Sequence, residues 1–86
     1  MVYEMISTKR ALELINDCET RGHRIVSGDG FHISGSKFME DVDLMFTASP
    51  DDTPAESAAL AREFVEKNGG EGIVWEIWGE GDVLLA

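Results

Sequence analysis

At 86 residues the chain is one small domain, able to bury about 60–65% of its unfolded surface with little stability to spare. A hydrophobic content of 43% is too high for a disordered acidic tail. The formal net charge of −10 argues against nucleic acid or an anionic membrane as ligand.

Val2 to Ile6 is short and out of phase with the helix that follows, and it predicts a first strand. Ser7 can cap that helix, whose apolar stripe is Ala11, Leu14, Ile15 and Cys18, with Leu12 at its edge and Gly22 as its stop. Lys9 and Arg10 stand in its first turn, where the helix dipole disfavours cations slightly. His23 to Ser27 and Phe31 to Ser34 read as strands around Gly28-Asp29-Gly30, a turn signal. Gly35 to Asp41 reads as a loop. Val42, Leu44 and Phe46 then alternate with Asp43, Met45 and Thr47 along a further strand.

The second helix carries the firmest signals. Thr53-Pro54-Ala55-Glu56 is a capping box with proline at the first helical position, where its missing N–H costs nothing. Ser57, Ala58, Leu60, Ala61, Phe64, Val65 and Asn68 share one side at helical spacing. Asn68-Gly69-Gly70 predicts a left-handed stop. Ile73 to Trp78 is a strand, and Gly79 to Asp82 turns it into a last one, Val83 to Leu85. A helix, a glycine and an Ile-Val pair recur at Ala11…Gly22…Ile25-Val26 and Ala59…Gly70…Ile73-Val74. The two helical stripes do not stay in register, so no duplication follows.

This order predicts a single α+β domain over residues 1–86, with an antiparallel or mixed sheet and two helices on one face. The plan is the split βαβ of ferredoxin-like domains, or a related αβββαββ meander. Alternation places Phe31, Ile33, Val42, Leu44, Phe46, Ile73, Trp75 and Ile77 under the helices. It leaves His32, Ser34, Asp43, Met45, Thr47, Val74, Glu76 and Trp78 on the open face. A tryptophan and a methionine edged by carboxylates suit a protein contact better than a solvated surface. The competing expectation is that the last hairpin or the Gly35–Asp41 loop folds over Trp78.

The charge is unevenly spread. Residues 1–37 hold five acids and five bases, whereas residues 38–86 hold twelve acids against Arg62 and Lys67. Glu40, Asp41, Asp43, Asp51, Asp52 and Glu56 fall between Met39 and Ala61 without a base. Such a tract can imitate phosphate spacing and occupy a basic groove, as small viral inhibitors of nucleases do; it also fits a solvated face in a salt-adapted protein.

Chemistry is sparsely signalled. The lone Cys18 forms no internal disulfide and belongs to a helical stripe, which favours a reducing cytoplasm. No apolar run is long enough for a bilayer span, and the first residues lack a secretion-signal pattern. Cys18, His23 and His32 have no metal-ligand spacing. The twelve-residue calcium loop is missing, and the glycines do not open helices as phosphate loops do. The expectation is therefore a cytoplasmic, non-enzymatic binding domain needing no cofactor or metal. Its partner-binding residues would be Glu40, Asp41, Asp43, Met45, Asp51, Asp52, Glu76 and Trp78. Its partner would be a protein with a basic surface, and neither nucleic acid directly nor a membrane. The alternative is a homodimeric regulatory or small-ligand-sensing module whose sheets pair through the same face.

Overall fold

The computed structural model describes residues 2–80, with side chains from residue 5 onward. The elements are β1 (Val2–Ser7), α1 (Thr8–Thr20), β2 (Ile25–Ser34), β3 (Lys37–Thr47), α2 (Pro54–Asn68) and β4 (Ile73–Gly79). The strand order is β1-β4-β2-β3, and every neighbouring pair is antiparallel. It follows that β1 and β2 run parallel with β4 between them, and β3 and β4 run parallel with β2 between them. These are two interleaved split βαβ units in an α+β domain. The predicted strand Val83–Leu85 lies outside the described residues.

Both helices form because their ends are satisfied. Ser7 Oγ accepts from the Arg10 amide at 3.1 Å, and α1 buries Ala11, Leu14, Ile15 and Cys18, the predicted stripe. On α2, Thr53 Oγ1 accepts from the Glu56 amide at 3.1 Å while Glu56 Oε1 accepts from the Thr53 amide at 2.9 Å. Ser57, Ala58, Ala61 and Val65 are buried, so close approach to the sheet is achieved with small residues. Leu60, expected on the same side, instead remains 37% exposed at the helix flank.

The positive φ expected at the stop of α2 falls on Gly70, at +143°, rather than on the capping Gly69. Gly69 is extended, with φ −82° and ψ −177°. Glycine is needed there for space, since a Cβ would fall 2.6 Å from Thr8 Oγ1 and 2.6 Å from the Val65 carbonyl. Thr8 is the joint of the fold: its Oγ1 accepts from the Gly70 amide and from Trp75 Nε1, each at 3.0 Å. One hydroxyl thus ties the start of α1, the end of α2 and the fully buried Trp75 of β4. The helices are cross-linked by Arg62, which donates to Asn16 Oδ1 and pairs with Glu19 at 2.6 Å.

Two expectations about the sheet are corrected. Gly28-Asp29-Gly30 is no turn but the middle of the continuous strand β2. Gly28 pairs with Ile77 and Gly30 with Trp75, so both glycines take positions under the helices. A Cβ on Gly28 would lie 2.6 Å from Phe46 Cζ, and one on Gly30 would lie 2.8 Å from Leu44 Cβ. Large neighbours fill the room that side chains would need there. Phe31 and Ile33 consequently fall on the open face, and His32 and Ser34 on the other phase, the reverse of the expected order. The second correction concerns β3, which begins at Lys37 and absorbs most of the expected Gly35–Asp41 loop. Its pairing with β2 jumps from Asp29↔Met45 to Phe31↔Glu40, leaving Asp41 to Leu44 opposite Gly30 alone. Val42, expected inward, sits in this bulge and is 76% exposed.

The core combines Leu14, Ile15, Ala58, Ala61 and Val65 of the helices with Ile25, Phe46, Trp75 and Ile77 of the sheet. Among the described residues Ser57 is the buried polar side chain, and it is satisfied: its Oγ accepts from the Ile25 amide at 2.9 Å and donates to the Pro54 carbonyl at 3.0 Å.

Candidate functional site

The helices cover one face of the sheet and leave the other open, so the register decides which side chains that face presents. Directly paired residues point to the same side. One row is Trp78, Ser27 and Thr47; the next is Glu76, Asp29 and Met45; the third is Val74, Phe31 and Glu40. Ile33 and Phe38 form a further pair towards the hairpin tip. Phe31 is buried within the face, while Trp78, Met45, Ile33 and Phe38 are all exposed. Apolar side chains therefore lie on both sides of the Asp29–Glu76 pair.

The electrostatics are one-sided. Asp29 and Glu76 are direct cross-strand partners, and Glu40 lies in the adjoining row. None of the three rows carries a lysine or arginine. The Trp78 indole N–H donates to Glu76 Oε1 at 3.1 Å, which fixes the ring beside the acid pair. Trp78 is left uncovered by the Gly35–Asp41 segment, because that segment belongs to the opposite end of the β2–β3 hairpin.

The expected site residues separate into groups. Glu40, Met45, Glu76 and Trp78 share the open face. Asp41 does not contribute a free carboxylate: His32 Nε2 contacts its Oδ2 at 2.9 Å, and the Asp43 amide donates to its Oδ1 at 2.9 Å. These hydrogen bonds, the histidine's foremost, hold the Asp41 carboxyl below its ordinary range. Asp43 lies in the bulge and borders a groove against α2, away from the rows. Asp51 and Asp52 shape the turn before α2, where Ser49 N–H donates to Asp52 Oδ2 at 3.0 Å and Asp51 N–H to Ser49 Oγ at 3.3 Å. The tract from Glu40 to Asp52 is thus not one patch.

Asp29, Phe31, Ile33 and Phe38 share this face without having been expected on it. Asp29 was hidden inside an apparent turn, and the parity of Phe31 and Ile33 followed from that reading. The signal available was the glycine pair itself, which can mark close packing within a strand as well as a turn.

Among the described residues no three His, Cys, Asp or Glu side chains gather as a metal site. Cys18 is buried on α1, and burial foremost pushes its thiol pKa above the ordinary value. No described helix is long and apolar enough to cross a membrane. The chain matches no protein-family model and no curated protein sequence.

Proposed function

We propose that this chain is a non-enzymatic, cytoplasmic protein-binding domain whose open sheet face docks a larger protein through a basic surface. The observation that carries the reading is the opposed Asp29–Glu76 pair on a face that also exposes Trp78 and Met45. Like charges directly opposite each other weaken a sheet, and a partner's cations would offset that repulsion. Exposed Trp and Met beside them supply the apolar anchor that charge alone lacks. The most concrete form of the function is inhibition of a nucleic-acid-binding protein by occupation of its basic groove.

A second copy is the weaker occupant. Stacking two such faces brings Asp29, Glu40 and Glu76 of one protomer against those of the other, between chains of net charge −10. The homodimeric module remains the alternative that solution mass distinguishes. No cofactor or metal is required by either reading.

The test is capture of basic nucleic-acid-binding proteins by immobilised wild-type chain and by Trp78→Asp, with short duplex DNA as competitor. The expected result is capture that is lost in Trp78→Asp, displaced by duplex, and weakened steeply by salt near about 0.5 M. A captured set indifferent to both Trp78→Asp and duplex would contradict the proposal.

A further inference from the structure

A groove of about 860 Å³ lies between α2 and the second half of β3. It is separate from the open face, because its Phe46 pairs with Gly28 on the helix-covered side of the sheet. Its apolar lining is Phe46, Leu60 and Phe64, and the two rings lie 5.1 Å apart between centroids. Leu60 belongs by spacing to the apolar side of α2, yet it is 37% exposed and borders this groove. The polar lining carries both signs of charge. Asp43 comes from β3, whereas Glu63 and Lys67 come from α2. Glu63 and Lys67 stand four residues apart, the spacing at which an acid and a base on one helix ordinarily pair. Among the described residues, however, Asp43, Glu63 and Lys67 make no ion pair. Two carboxylates and one ammonium are thus left unneutralised around an aromatic surface. A simple cation in this groove would suit the acids but meet Lys67, and a simple anion would suit Lys67 but meet the acids. A zwitterion with an apolar body uses all three.

We infer that this groove binds a free apolar α-amino acid, with an aromatic side chain as the best fit. The ligand's ammonium group donates to the Asp43 and Glu63 carboxylates, and its carboxylate accepts from Lys67 Nζ; such charge-assisted bonds are the stronger kind. Both charged groups of an α-amino acid sit on one carbon. On a helix face the Cβ atoms of residues spaced like Glu63 and Lys67 are about 5–6 Å apart, so one ligand head reaches both. The ligand's ring packs offset or edge-on against Phe46 and Phe64, the geometries that aromatic pairs prefer, with Leu60 beside it. The volume is within the range of small-molecule sites, and it admits the largest natural side chains. The site shares no side chain with the three rows of the open face other than Thr47 at its border. It stands whether or not that face docks a partner.

The probe is L-phenylalanine, titrated into the isotope-labelled full chain and followed by backbone amide NMR shifts. Shifts that saturate below ~10 mM are expected, concentrated at Leu60, Glu63, Phe64 and Lys67. Phenethylamine lacks the carboxylate and phenylpropionate lacks the ammonium group, so each should bind at least ~10-fold more weakly. L-Phenylalanine itself should lose at least ~10-fold on Lys67→Met and on Asp43→Asn. Both positions are exposed, so the fold should survive, and unshifted amides away from the groove check this. Trp78→Asp should leave the affinity unchanged, which separates this site from the open face. Absence of saturation up to ~10 mM L-phenylalanine would overturn the inference. So would equal binding of phenethylamine or phenylpropionate, undiminished affinity in either groove variant, or shifts centred on Trp78 and Glu76.

Discussion

Asp29 of β2 and Glu76 of β4 stand directly opposite each other at the centre of the open face. Two carboxylates in that relation repel across a Cβ separation of about 5 Å. The arrangement lowers the stability of the free domain, and the proposed basic partner would relieve it. Glu76→Gln should therefore stabilise the isolated chain by about 0.2–1 kcal/mol while weakening partner capture. Glutamine keeps an acceptor for the Trp78 indole, so the change isolates charge. Urea denaturation at low and high salt measures it, and a stabilisation that vanishes with salt is expected. Loss of stability at low salt would mean the pair is not repulsive.

The inward glycines of β2 make a steric prediction. Gly28→Ala places a methyl 2.6 Å from Phe46 Cζ and 3.0 Å from Ile77 Cδ1. The cost should be about 1–3 kcal/mol, the usual range for overpacking a filled core. Gly35→Ala meets no neighbour within 4 Å, though its φ of +62° adds backbone strain. Gly28→Ala should lower the urea midpoint, and a neutral result would refute the packing ascribed to Phe46.

Thr8 offers a test of the joint between layers. Thr8→Val keeps the shape but removes the acceptor for Trp75 Nε1 and the Gly70 amide. Leaving the buried indole unpaired should cost about 1–3 kcal/mol. The change should appear both in the denaturation midpoint and as a shift in tryptophan emission. Thr8→Ser should restore most of the loss.

Acid should act through two hydrogen-bonded carboxylates. Glu56 is held below its ordinary 4.5, chiefly by the Thr53 amide, and Asp41 below 3.8, chiefly by His32. A depressed carboxyl contributes stability above its unfolded value, and that contribution is lost as pH falls through the folded value. Thermal midpoints should thus decline as pH drops below about 4.5. Glu56→Gln keeps the capping geometry without the titration and should flatten the upper part of that decline, while Asp41→Asn should flatten the part below 3.8. An unchanged acid limb in both variants would assign the decline to other groups.

What could be read from the residues was whatever is locally encoded. Ser7, the Thr53–Glu56 box and the spacing of Ala11, Leu14, Ile15 and Cys18 gave both helices, because caps and stripes act within a turn or two. Trp75 and Ile77 were placed correctly for the same reason, since β4 alternates without interruption. Phe31 and Ile33 were not, because their phase depends on Gly28 and Gly30 packing against Phe46, Leu44 and Trp75, which are remote in sequence. Val42 and Asp43 were misjudged because the bulge opposite Gly30 arises from pairing between strands. Of the residues on the open face, Trp78, Glu76, Met45 and Glu40 were therefore legible in the sequence. Asp29, which completes the charge pair, was not.

The most direct test of the account is the solution mass by light scattering on a sizing column, at low and at high salt. A foreign partner for the open face predicts a monomer near 9.5 kDa at both. A dimer that appears once salt screens the acids, and that Trp78→Asp dissolves, would contradict the account and assign the face to a second copy.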